Sequence, residues 1–271
     1  MMLLAYGCTS RCHIGKNGSE GLTVKVASYG NKSIAFGVIA NGSGDRKIAD
    51  VACASSIKIY SDWFFEQLKE DTIRFAESNI DQIRTEWEAL QLMLRSKAYD
   101  YAVREQTGVD VLSAVLLVDT FSHNLYVLDS IGIGIYRIRK SGAELILSPH
   151  IERSVIDNGF ETKHNRVPIH CVSQFEKVAS TQCVSTPRWY SCSLKGGDQG
   201  KTCGESVYLL CTGNIIANSL PEELSRIFRP EEISDQLSAK IRLERLVRYG
   251  GTGSDRFDVG SGSAILIRYS T

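Results

Sequence analysis

The sequence has no excess of either charge: 31 Lys and Arg stand against 31 Asp and Glu in 271 residues. That balance argues against a broad nucleic-acid-binding surface, because counterion release on a polyanion needs clustered Lys and Arg. No run of apolar residues approaches the ~18–20 needed to cross a bilayer, so a membrane span is not expected. The apolar start, residues 1–6, is shorter than the core of an export signal and no basic segment leads it. It reads as a first strand, and the cytoplasm is the expected compartment. Internal repeats are absent, as is any linker that would divide the chain, so one domain over 1–271 is expected. Several catalytic templates are missing too. There is no G-x-S-x-G elbow and no H-E-x-x-H helix. The glycine-rich strings at 131–135, 250–254 and 260–263 precede strands, whereas a phosphate-cradling loop must open a helix.

What is present is ordinary globular composition, 43% hydrophobic and 23% charged. The eight cysteines include Cys8 and Cys12, which with His13 could seed a metal site. No second close-spaced pair completes a zinc ribbon, and Cys53 and Cys211 sit in apolar surroundings that suit core thiols. The five histidines (His13, His123, His150, His164 and His170) are scattered and read as loop or surface residues.

Periodicity supplies the rest. Residues 22–40 alternate as strands, and the Asn41-Gly-Ser-Gly44 run is expected to break them. Residues 48–68 read as a helix. Ile73, Ala76, Ile80, Ile83, Trp87, Leu90 and Leu94 then mark one face of another, capped by Asp71 and stopped at Gly108. Strands at 111–119, 124–128, 133–139 and 144–147 follow so closely that an antiparallel meander is expected. Residues 149–204 show weak periodicity and read as an irregular, flap-like segment. A strand at 207–211 leads to a helix with a capping box at Ser219-Leu-Pro-Glu222. Pro230 is expected to open a second helix carrying Ile233, Leu237 and Ile241 at i, i+4 and i+8. A final strand covers 263–269. Paired helices between β blocks predict an α+β fold.

Four strings stand in order along this pattern. They are Phe36-Gly-Val-Ile-Ala-Asn-Gly-Ser-Gly44; Leu128-Asp-Ser-Ile-Gly-Ile-Gly-Ile-Tyr136; Tyr208-Leu-Leu-Cys-Thr-Gly-Asn214; and Gly253-Ser-Asp-Arg256 running into Ala264-Ile-Leu-Ile-Arg268. Together with the element order, they resemble the PPM-type (type 2C) metal-dependent serine/threonine protein phosphatases over about Gly15 to Arg268. The resemblance implies a four-layer α-β-β-α sandwich, two antiparallel sheets flanked by helix pairs. It also implies a centre of two Mn²⁺ or Mg²⁺ ions held by Asp side chains, which would activate a water for attack on a phosphoester.

The strings depart from the family where those Asp residues belong. Asn41 replaces the first, although Gly42 follows as expected. The second falls on Gly132 or Ile133, the third on Gly213, and the last on Gly260 with Ser261. Asn17-Gly-Ser-Glu20 keeps only the outline of the usual acidic segment near the start. The expectation is therefore a pseudophosphatase without a metal cofactor, acting as a protein-binding or regulatory module through the 150–204 segment or the vestigial cleft. The alternative is a divergent, active Mn- or Mg-dependent phosphatase with Asp258 or Asp255 as residual ligands beside Asn41. Asp45, Asp129, Asp255 and Asp258 all neighbour the lost positions. A strand residue one place away points to the opposite face, so these acids read as turn-forming or solvated.

Overall fold

A computed structural model describes residues 2–10, 19–44, 46–69, 80–105, 109–148, 187–194, 205–212, 215, 219–249 and 262–270. The strands are β1 (Met2–Ser10), β2 (Ser19–Tyr29), β3 (Lys32–Gly44), β4 (Val109–Asp119), β5 (Asn124–Asp129), β6 (Gly134–Arg139), β7 (Gly142–Leu147), β8 (Arg188–Ser193), β9 (Ser206–Cys211) and β10 (Gly262–Ser270). The helices are α1 (Arg46–Lys69), α2 (Ile80–Glu105), α3 (Pro221–Ile227) and α4 (Gln236–Tyr249). One sheet runs β1-β10-β9-β6-β7 and the other β2-β3-β4-β5-β8, and neighbouring strands pair antiparallel.

Three cores separate four layers, and strand alternation explains why. In β4, Val111, Val115 and Leu117 face α1 and α2, while Ala114, Leu116 and Val118 face the other sheet. In β10, Ala264 and Leu266 face α3 and α4, while Ile265 and Ile267 turn inward. The sheets therefore carry apolar residues on both faces, which is why these strands read as continuous hydrophobic runs. Each face has its own partner layer. The four-layer α+β sandwich is the observed fold.

The core beneath α1 and α2 is aromatic. Phe36 stacks on Phe64 with ring centroids 4.6 Å apart, and Trp63 meets the edge of Trp87 at 5.4 Å. Tyr60 donates to Gln91 Oε1 at 3.2 Å, and Gln91 Nε2 donates to the Val111 carbonyl at 3.2 Å, so a buried amide ties both helices to β4.

Several expectations change. β3 does not break at Asn41; it stays paired with β4 to Gly44. The meander divides, because β4 pairs with β5 and β6 with β7, but β5 and β6 belong to different sheets. Within the stretch expected to be irregular, residues 188–193 form β8 on the edge of a sheet. The Asp71 cap lies outside the described residues. Ser219 does not cap α3: the N-cap is Leu220, and the Ser219 hydroxyl donates to the Ile215 carbonyl at 2.8 Å. Pro230 opens only a 3-10 turn, Pro230–Glu232. α4 begins after Asp235, whose carboxylate accepts from Ser238 N at 2.7 Å. Its buried face is Ala239, Leu243, Leu246 and Val247, leaving Leu237 and Ile241 outward. Cys53 and Cys211 are buried as expected. Cys12, His13, Cys171, Cys183 and Cys203 lie outside the described residues.

Trp87 is fully buried against Phe36 and Trp63. Trp87→Ala is expected to cost about 3–5 kcal/mol, the range for emptying a large aromatic site. Urea unfolding monitored by far-UV circular dichroism measures it.

Candidate functional site

Several strand ends converge at one end of the sandwich: β1, β9 and β10 from one sheet, β2, β3 and β4 from the other. Asn41 pairs with Glu20 of β2 on one side and Leu112 of β4 on the other. Ala35 and Ile39 face the opposite sheet, so the period of two places Asn41 on that same inward face, where it is half-buried. Glu20 is in phase with the inward Leu22 and Val24 and is only 8% exposed. Across from them, Thr9, Ser263 and Thr212 form a row on the other sheet.

One hydrogen-bond network joins the two rows. Ser263 Oγ lies 3.1 Å from Glu20 Oε2 and 3.0 Å from Thr9 Oγ1. Ser263 N donates to Thr212 Oγ1 at 3.1 Å, and Thr212 N returns a bond to the Ser263 carbonyl at 3.0 Å. Ser263 has a single hydroxyl hydrogen, so the direction of this chain depends on Glu20. When Glu20 is ionised, Ser263 donates to it and Thr9 donates to Ser263. When Glu20 holds a proton, its O–H can donate to Ser263, which then donates to Thr9. Burial pushes the Glu20 carboxyl up to about 7, and the hydrogen bond from Ser263 only partly opposes that. Sequence reasoning passed over Glu20 as the remnant of an acidic segment. The detectable signal was a carboxylate in register with the apolar side of an alternating strand.

The remaining candidate positions have different roles. Gly42 points at α1, and a Cβ there would collide with the Ala49 carbonyl; packing alone accounts for this glycine. Gly132 has φ +85°, a conformation that favours glycine, and lies in the loop that follows β5. That loop wraps a carboxylate. Asp129 Oδ1 accepts from Ile131 N at 3.0 Å and Gly132 N at 2.9 Å, while Oδ2 accepts from Ile133 N at 3.1 Å and Arg188 Nη2 at 3.0 Å. Burial pushes the Asp129 carboxyl up; the amides and the Arg188 guanidinium pull it down. Asp129 thus shapes a turn, as the sequence suggests, and its oxygens are engaged by the loop itself. Gly213, Gly260, Asp255, Asp258 and Asp45 lie outside the described residues.

Among the described residues, the donors at these strand ends do not supply the several anionic oxygens that a pair of hard divalent cations requires. Asn41 offers one neutral carbonyl oxygen, Thr9, Ser263 and Thr212 offer hydroxyls, and glycine offers no side-chain oxygen wherever it stands. Glu20 is the one carboxylate in this network. Among the described residues no group of three His, Cys, Asp or Glu side chains converges to hold a metal.

Solved structures share this architecture. A serine/threonine phosphatase of S. agalactiae aligns at 11% identity with a TM-score of 0.58, covering 98% of this chain and 99% of that one. The Mycobacterium tuberculosis serine/threonine phosphatase PstP/Ppp aligns at 14% identity with a TM-score of 0.57, covering 99% and 98%. The PP2C phosphatase domain of Bacillus subtilis SpoIIE, in a structure that also holds a regulatory fragment, aligns at 12% identity with a TM-score of 0.52, covering 98% and 63%. No family model matches the sequence, and no curated protein matches it. The likeness is therefore one of fold, and the fold is that of PP2C-type phosphatases.

Two outcomes follow from the geometry. The unfolded chain releases the Glu20 proton near the ordinary value of 4.5, whereas the folded chain holds it to about 7. Stability therefore falls as pH rises through that window, by about 3 kcal/mol, and is level above it. Glu20→Gln removes this loss, so the stability of the variant relative to the parent is expected to rise by about 3 kcal/mol between pH 4 and pH 8 in paired urea titrations. Gly42→Ala is expected to destabilise by about 1–3 kcal/mol, because α1 must shift to admit the methyl group. A lowered urea midpoint with an unchanged m-value checks it.

Proposed function

We propose that this PP2C-fold chain does not hydrolyse phosphoesters and acts as a protein-binding, regulatory module. The observation that supports this most directly is the chemistry around Asn41. Where the resembled phosphatases use carboxylates, this chain has an amide, hydroxyls and glycines, with Glu20 as the acid in the network. Lowering the pKa of a water needs cations held at fixed separation, and holding them needs enough negative charge to offset their dehydration. Glu20 is a single carboxylate, and its burial pushes the carboxyl up to about 7, which opposes the charge a cation would need there. The reading carries no metal cofactor. Its partner is a protein, not a nucleic acid or a membrane, and its compartment is the cytoplasm. Among the described residues no helix is long and apolar enough to cross a membrane.

The competing reading is an active, divergent Mn- or Mg-dependent phosphatase using Asn41 with Asp255 or Asp258. The two separate cleanly in one pair of measurements. Calorimetric titration with Mn²⁺ is expected to show no stoichiometric binding, and a phosphoserine peptide is expected to show no turnover above buffer with Mn²⁺ or Mg²⁺. Stoichiometric binding together with turnover that disappears in Asp258→Ala would establish the active enzyme instead.

A further inference from the structure

Away from the strand-end cleft, on the helix layer over the β1-β10-β9-β6-β7 sheet, a groove of about 510 Å³ opens between α3 and the outer flank of α4. Arg226, Ile227, Ser238, Ile241, Arg242 and Arg245 line it. Its size is typical of a ligand or peptide site. We propose that this groove docks an acidic amphipathic segment of a partner protein, with aliphatic side chains against Leu237 and Ile241 and carboxylates on Arg245. The proposal rests on the protein-binding reading only in requiring a protein partner, and it adds that partner's chemistry.

Ile241 lines the groove, and Leu237, outside the lining, is bare one turn before it. Leu237 is 64% exposed and Ile241 59%, one helical turn apart, while the neighbouring face of α4 packs on the sheet through Ala239, Leu243, Leu246 and Val247. A lone exposed leucine needs no explanation, but a pair at i and i+4 beside a concavity matches the spacing by which a second helix presents its anchors.

Charge supplies the complement. α4 carries Lys240, Arg242, Arg245 and Arg248 against one acid, Glu244. None of the lining residues is acidic, and two of the nearby acids are already engaged. Glu232 pairs with Arg242 at 2.8 Å and with Arg229 at 3.7 Å, and Glu244 approaches Lys240 at 3.9 Å. Arg242 also donates to the Ile227 carbonyl, which fixes it against the end of α3. Arg245 makes no ion pair among the described residues, and it lies one turn beyond Ile241. A guanidinium presents a planar fork that fits a carboxylate in two-point contact. Arg245, one turn beyond Ile241 in a lining that holds three arginines and no acid, selects an occupant that is acidic and apolar at once. An anionic bilayer fits less well, because a concavity with two aliphatics offers little convex apolar surface to bury among acyl chains.

The test uses the full chain and a fluorescein-labelled synthetic helix of about four turns, bearing leucines at i and i+4 with glutamates on the flanking positions. Fluorescence anisotropy is expected to show saturable binding that weakens with added salt. Arg245→Glu and Ile241→Ser are each expected to weaken it about tenfold, and so is replacing the peptide's glutamates with glutamine. Both variants alter exposed side chains, and an unchanged circular dichroism melt certifies that they fold. The proposal is overturned by absence of saturable binding. It is equally overturned by undiminished binding in Arg245→Glu, by a glutamine peptide that binds as well, or by flotation with phosphatidylserine vesicles while the peptide is ignored. The phosphoester and Mn²⁺ measurements do not bear on these outcomes, so failure here leaves the inactivity of the cleft as it stands.

Discussion

The buried carboxylate of Asp129 sits where the chain leaves one sheet for the other. β5 ends on it, the next four residues turn around it, and β6 starts in the opposite sheet. Passing between layers would leave the amides of 131–133 without ladder partners in a protected place, and unsatisfied amides are costly there. One side chain takes all three. Arg188 from β8 then offsets the charge and bonds the carbonyls of Ile133 and Ser148, joining the edge strand, the crossing and the end of β7. The layer order of the sandwich depends on this crossing, because β6 goes on to pair with both β7 and β9.

The crossing also marks the limit of what periodicity could reveal. The positions of β4 to β7 were legible to within a residue or two, since alternation and turn residues are local properties. Their assignment to two sheets was not, because Ser130 to Ile133 carries no local sign that the chain changes layer. α4 shows a related ambiguity. Two apolar stripes run along it, and a spacing of three and four residues finds both without saying which one meets a sheet. Leu237 and Ile241 belonged to the outward stripe. β8 was hidden for a different reason: Arg188-Trp-Tyr-Ser-Cys-Ser193 is half polar and lies on an edge, where alternation need not be strict.

The candidate site was legible as a set of absences. Asn41 and the glycines were expected to mark missing acids; of these positions the structure describes Asn41, Gly42 and Gly132, and it sets Glu20 beside Asn41. Ser263 links Glu20 on one sheet to Thr9 on the other, so the strand ends are joined by neutral hydrogen bonds and a single proton-sensitive acid. Gly42 owes its place to packing. Its lack of a side chain is required by the backbone of α1, whatever the residue before it does.

The order of strands has a consequence for how the molecule assembles. The β2-β3-β4-β5-β8 sheet, with α1 and α2 against it, draws all its members from residues 19–193. The other sheet is arranged differently: among the described residues β1 pairs with β10 alone, with Met2 opposite Ser270. During synthesis the first sheet can gather its own core early, while β1 waits with its edge and its apolar residues uncovered until the last strand has emerged. Pairing across so long a separation is slow. The early half is exposed in the meantime on the face that the second sheet will cover, and that interval is when this chain is most open to aggregation and to capture by chaperones.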